Sequence, residues 1–169
     1  MSPVATPRLT FAVPAAGDAD FFVRLNADPE VVRHTGDGPF ADRADALAVI
    51  AILQDRLAST GMTRWVVRHE GAPIGWCGLK WREDLAVADL GYRFLQAAWG
   101  RGFATEASRA VLELAFGELG LPRVIADIAP ENTRSFGVVT RLGFTRLGDA
   151  WDGELPVVRF ERRRLCRTR

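Results

Sequence analysis

The sequence predicts a mixed α+β domain: a central sheet, mostly antiparallel, with one parallel pair formed by its fourth and fifth strands and with helices flanking it. Three stretches carry that reading. "VIADI" (Val124 to Ile128) is short and almost wholly apolar, the pattern of a strand covered on both faces. It follows a long helical run, which itself follows a strand over Leu85 to Phe94. A strand, a helix and a strand in that order make a right-handed crossover between parallel strands. Elsewhere, Glu70-Gly71 and Asp152-Gly153 sit between apolar runs, which marks antiparallel hairpins.

The elements follow in order. "RLTFAV" (Arg8 to Val13) alternates as a first strand, stopped by Pro14 and Gly17. Asp18 to Asn26 carries Phe21, Phe22 and Leu25 at helical spacing. "DPEVVRHTGDGPF" (Asp28 to Phe40) is broken by Pro29, Gly36, Gly38 and Pro39 and reads as mostly loop. Ala41 to Ser59 is a second helix, with Asp42 as its N-cap and Ala46, Val49, Ile50, Leu53 and Leu57 as its buried stripe. Gly61 ends it, and two strands joined at Glu70-Gly71 follow. The long helix after the fourth strand runs to "ELGLPR", with Gly120 at its C′ position and Pro122 as the stop. Asn132 to Leu142 is the last helix, closed by Gly143. Phe144 to Leu147 and Leu155 to Phe160 close the chain as a hairpin. No linker or repeat divides it, so residues 1–169 read as one domain.

Composition narrows the function. A formal net charge of +1 gives no field for a nucleic acid or an acidic membrane surface. Cys77 and Cys166 form no metal-ligand spacing, and Cys77 reads as a small buried hydrophobe. The N-terminal "MSPVATPRLTF" is not a signal peptide and no stretch reaches the length of a membrane span, which together predict a cytoplasmic protein.

"AWGRGFATEA" (Ala98 to Ala107) raises the functional question. A helix N-terminus presents unpaired amides and partial positive charge. A glycine turn feeding it lets an anion lie against the backbone, as a phosphate would. Trp99 to Thr105 form that turn, with Gly100 and Gly102 lacking a Cβ and Arg101 adding charge at the rim. Phe103 stands where a Walker A loop needs lysine, and Thr105 where the dinucleotide fingerprint needs a third small residue, so neither motif applies.

Four separated motifs together, "DPEVVRHTG", "LGYRF", "AWGRGFATEA" and "PENTRSFGVVTRLGF", resemble the GNAT superfamily of N-acetyltransferases, in particular its ribosomal-protein acetyltransferase-like (Rim-type) branch. The resemblance covers essentially the whole chain. It implies a GNAT-like fold, acetyl-CoA as cofactor, and direct acetyl transfer to a primary amine on a small molecule or a protein N-terminus, with room for a homodimer. The alternative is a non-catalytic acyl-CoA-binding or regulatory domain. By resemblance, Arg101, Gly102, Phe103, Ala104 and Thr105 grip the cofactor's pyrophosphate. Tyr92, Arg93, Phe94 and Leu95 line the pantetheine where the fourth and fifth strands part. Asn132 is either a contact to pantetheine or the N-cap of the last helix.

The chemistry needs a base for the incoming ammonium, a donor for the developing oxyanion and a proton for the departing thiolate. A backbone N–H near Phe94 suits the oxyanion. The family's usual acid, a tyrosine four residues before the "GF" glycine, is replaced here by Val139. Ser135, one helical turn earlier, is the candidate in its place. Asp89, in "ADLGY", is the candidate base, with Glu30 as a rival and Glu83 and Asp84 read as a turn. Glu106 reads as a complement to the helix dipole. His34 and His69 read as solvated loop residues, Trp65, Trp76 and Trp81 as core and pocket wall, and Arg162 to Arg169 as a solvated basic tail.

Overall fold

The computed structural model describes residues 2–36 and 38–165. Cys166 and the end of the basic tail lie outside them. Seven strands form one sheet in the order β1-β2-β3-β4-β5-β7-β6. They are β1 (Leu9–Ala12), β2 (Arg64–His69), β3 (Ala72–Arg82), β4 (Val87–Phe94), β5 (Arg123–Ile128), β6 (Thr145–Asp152) and β7 (Leu155–Arg163). Every neighbouring pair is antiparallel except β4 and β5. The helices are α1 (Ala19–Ala27), α2 (Pro29–Val32), α3 (Arg43–Thr60), α4 (Phe103–Phe116) and α5 (Thr133–Arg141). None is long and apolar enough to cross a membrane.

Alternation along the strands splits the core into two layers. Trp65 and Val67 of β2, with Cys77, Leu79, Ala88 and Leu90, pack against Phe103, Ala107, Val111 and Leu114 of α4. Val66 of the same strand and Trp76 of β3 face the other way, onto Phe22 and Leu25 of α1 and Ile50 and Leu53 of α3. The long α4 is thus the crossover helix, on one face, and α1 to α3 cover the other. Cys77 is fully buried, 3.5 Å from the Ser108 hydroxyl, and burial pushes its thiol pKa up to about 12.

Local signals placed most boundaries. Asp42 caps α3, accepting from Ala44 N (2.7 Å) and Asp45 N (3.1 Å). Gly61 closes that helix in the left-handed region. Glu70 and Gly71 both take positive φ (50° and 79°), the signature of a type I′ hairpin turn. Val49 and Leu57, expected in the buried stripe, are only half-buried.

Three expectations need correction. The Asp28–Phe40 stretch is not all loop: Pro29 starts the single turn of α2, capped by the Asp28 carboxylate accepting from Glu30 N at 3.0 Å. Proline at the first helical position costs no hydrogen bond, so it starts this helix where it would have broken a longer one. α4 ends at Phe116 with Gly117 as its cap, short of Gly120, because Leu119 and Leu121 fold their N–H groups back onto Leu114 and Ala115. β6 and β7 extend well past their expected ends. A register shift between Arg146 and Gly148, on a strand of mixed polarity, hides the alternation of β6.

Asp42→Ala should lower stability by about 1 kcal/mol through loss of the α3 cap. Urea unfolding checks this: the midpoint should fall with little change in slope.

Candidate active site

The site begins where the sheet stops being continuous. β4 pairs with β3 along its whole length, Val87 to Phe94. It pairs with β5 only at Ala88–Val124 and Asp89–Ile125. Past Asp89, β4 stays with β3 and leaves β5, so a gap opens between the parallel strands. The next outward-facing amide of β5, Asp127 N–H, donates to the Asp89 carboxylate at 3.4 Å.

The phase of β4 says which groups face the gap. Leu95 N donates to Ile74 O across the β3 side. Backbone direction alternates along a strand, so Arg93 also faces β3, whereas Tyr92 and Phe94 turn toward β5. The Phe94 carbonyl accepts from the Trp99 indole at 2.8 Å, which leaves its N–H directed at the gap. Of the four residues expected along pantetheine, Tyr92 and Phe94 present backbone there. The Arg93 side chain is buried on the opposite face, bonded to Asn26 and lying over Trp76.

One end of the gap meets the glycine turn. Gly100 and Gly102 take φ of 72° and 79°, where glycine is favoured and a β-branched residue is strained. A Cβ on Gly100 would meet nothing within 4 Å, so the turn is open on its outer side. Gly102 caps α4, and the first helical bond of this end is Glu106 N to Gly102 O. The amides of Phe103, Ala104 and Thr105 precede it and have no partner within the helix. The turn is braced by the segment that leads into β1. Arg8 donates to Arg101 O (3.1 Å) and pairs with Glu106 (2.5 Å), which also accepts from Thr6. Burial works to raise the Glu106 pKa, but bonds from Thr6 and Arg8 and the Arg8 charge hold it below the ordinary value. Glu106 is therefore a brace as well as a dipole partner, and nothing in the sequence marks Thr6 or Arg8 for that task.

The two faces of the gap differ. Asp89 and Tyr92 are an odd number of residues apart, so their side chains leave β4 on opposite faces. On the α4 and α5 face, the Tyr92 hydroxyl donates to Ser135 O at 3.5 Å, and burial raises its pKa, so the phenol keeps its proton. The chain's only tyrosine thus stands at the first turn of α5, beside Ser135, although forty-three residues separate them. Val139 is fully buried. Asn132 caps α5 through Oδ1, accepting from Ser135 N at 3.3 Å, which leaves its Nδ2 donors to serve another partner.

On the α1 to α3 face, burial first and the charge of Asp127 second raise the Asp89 pKa to about 7, against the Asp127 N–H bond and the Arg82 charge. Asp127 itself is locked by Arg159 (2.7 and 2.6 Å) and Arg82 (3.4 Å). Arg82 also pairs with Asp84 and, at 3.0 Å, with Asp152 at the tip of the β6–β7 hairpin. That tip meets the loop after α2: a Cβ on Gly36 would stand 2.6 Å from Leu155 Cδ1. Loop and hairpin therefore meet at this face. Glu30 pairs with Arg33 at the surface.

Residues 8–145 match the family profile described as an acetyltransferase (GNAT) domain. The chain belongs to the GNAT acetyltransferases. N-acetyltransferase p20 of Bacillus licheniformis, itself uncharacterised, is 31% identical over 151 residues, spanning 88% of this chain and 85% of p20. A GNAT-family acetyltransferase from Bacillus anthracis has the same fold (TM-score 0.82, 21% identity, 97% of this chain and 99% of that one). So has the aminoglycoside acetyltransferase AAC(6′)-Ib, solved in complex with coenzyme A (TM-score 0.78, 21% identity, 92% and 95%). This GNAT protein is an acetyl-CoA-dependent N-acetyltransferase, and the open glycine turn, the free α4 amides and the β4–β5 gap are a fitting cradle for that cofactor.

Gly102→Val should weaken CoA binding at least tenfold, about 1.4 kcal/mol. The substitution puts a β-branched side chain at φ +79° on the cap of α4. Calorimetry with CoA checks it, with a cofactor-free melting curve to show that the variant folds. Unchanged affinity would remove the turn as the cofactor's phosphate site.

Proposed function

We propose that Asp89 is the general base for a primary amine, on a small molecule or a protein N-terminus, that enters from the α1 to α3 face of the gap. The observation that carries this is the position of Asp89 at the point where β4 leaves β5, on the face opposite Tyr92 and Ser135. Donor and acceptor then meet through the gap from opposite sides, as direct transfer requires. A base with pKa near 7 is well matched to taking a proton from an ammonium group near neutral pH.

Acetyl-CoA supplies the activated acyl group as a thioester. The amides of Arg101, Gly102, Phe103, Ala104 and Thr105 would hold its phosphates. Tyr92 and Phe94 turn backbone toward pantetheine, with Arg93 and Leu95 as their neighbours on the strand, and Asn132 offers its Nδ2. Phe94 N–H would stabilise negative charge on the acyl oxygen, an interaction worth most in a water-poor site. Ser135 offers its hydroxyl to the departing sulfur. The Tyr92 hydroxyl, 3.5 Å from Ser135 O, favours a second reading in which the phenol supplies that proton.

Asp89 loses its proton as pH rises through about 7, so the base form is present above and lost below. kcat/KM should fall on the acid side of that value, and Asp89→Asn should lower it by roughly 10²- to 10⁴-fold. An acceptor panel read by CoA thiol release supplies the assay. An Asp89→Asn enzyme that keeps both wild-type rate and acid limb would overturn the assignment.

Ser135→Ala should lower kcat by roughly 10- to 1,000-fold with little change in KM for acetyl-CoA. If the proton comes from the phenol, Tyr92→Phe takes the loss instead. Single-turnover rates on the two variants decide between the hydroxyls. Two wild-type rates would leave the proton to water.

A further inference from the structure

Arg101 stands apart from the cations around it. Arg8 has its charge met by Glu106 at 2.5 Å. Arg101 has no acidic partner among the described residues. Its guanidinium lies 4.7 Å from the centroid of the Phe103 ring, and its Nη2 stands 3.5 Å from His69 Nε2. Arg8 lies over the same ring at 4.6 Å. Two guanidiniums gathered at the first residue of α4, one of them unneutralised, is an arrangement that favours an anion.

The hydrogen bonds of His69 determine which tautomer it adopts. His69 Nδ1 is 3.0 Å from the backbone oxygen of Arg8. A carbonyl only accepts, so Nδ1 is the donor, and Nε2 is the nitrogen left to accept. A guanidinium only donates, and Nε2 lies 3.5 Å from that of Arg101, nearer than the exposed Glu70 carboxylate at 3.9 Å. The ring is also stacked on Phe103, centroids 4.7 Å apart. His69 is thus built into the turn and is no solvated loop residue, contrary to the sequence reading. Its position at the end of β2, beside the hairpin turn, fixes it relative to β1 and α4 together.

We infer that His69 is a positioning residue for the cofactor, holding the Arg101 guanidinium beside the glycine turn so that it meets phosphate oxygens of CoA. The inference rests on the reading of that turn as the phosphate site. A free arginine loses much side-chain freedom when an anion fixes it. Restraint by His69 and Phe103 removes part of that loss before binding. CoA offers such oxygens at its pyrophosphate and at its 3′-phosphate.

The test is calorimetry of CoA and dephospho-CoA with the cofactor-free protein. The variants are His69→Leu, His69→Gln, Arg101→Ala and the double variant His69→Leu with Arg101→Ala. Arg101→Ala should weaken CoA about tenfold, as loss of a charge-assisted bond does. His69→Leu should cost a factor of about three to five, and His69→Gln, which keeps an acceptor, should restore most of it. The double variant should bind no worse than Arg101→Ala alone, since the two act through one contact. Equal losses with both ligands assign the pyrophosphate, and a loss confined to CoA assigns the 3′-phosphate. Losses that multiply in the double variant, or a His69→Leu protein with wild-type affinity, overturn the inference. Gly102→Val separates the two levels: if it too binds CoA normally, the phosphate site itself is elsewhere. If it fails to bind while His69→Leu binds normally, only the role of His69 is lost.

Discussion

Backbone amides in a sheet need partners, and the structure turns on one place where the ladder withholds them. β4 and β5 share two register positions and then part. Each strand can leave the other because each is secured on its far side: β4 by a full ladder to β3, β5 by a full ladder to β7. The gap is therefore held open from outside, not by anything within it. At its closed end the Asp89 carboxylate takes the Asp127 amide, so the side chain that ends the pairing is also the proposed base. The glycine turn, the α4 amides and the hairpin tip are all placed relative to that opening.

Much of this was legible because its causes are local. The left-handed turns at Gly100 and Gly102, the Asp42 cap, the Glu70-Gly71 hairpin and the apolar β5 each depend on neighbours a few residues away. The crossover placed Asp89 and the glycine turn on adjoining elements, and family likeness supplied the cofactor. What escaped depends on contacts between distant residues. Arg8 braces Glu106 across ninety-eight residues, and Tyr92 meets Ser135 across forty-three. His69 read as solvated because no local pattern shows that Phe103 and Arg101 will surround it. The early end of α4 escaped for a related reason: Gly117 and Gly120 are both acceptable stops, and the packing of Leu119 and Leu121 chooses between them.

Charge around Asp89 is organised around two arginines. Arg82 joins the end of β3, the turn at Asp84, β5 and the hairpin tip, and Arg159 joins β5 to β7. With Asp127 held between them, Asp89 is left as the carboxylate with no cation bonded to it in this cluster. Its raised pKa follows from that division: burial and a neighbouring negative charge act on it while the positive charges are committed elsewhere.

Cys77 sits directly across the β3–β4 ladder from Tyr92, beside the gap proposed to take the thioester. A free thiolate in that position would compete with the amine, taking the acyl group by exchange between sulfurs and leaving the protein modified on its own sheet. Burial removes the competition. A thiol with pKa pushed to about 12, resting on the Ser108 hydroxyl, is almost wholly un-ionised at neutral pH. The sulfur fills space in the core while its nucleophilic form is withheld.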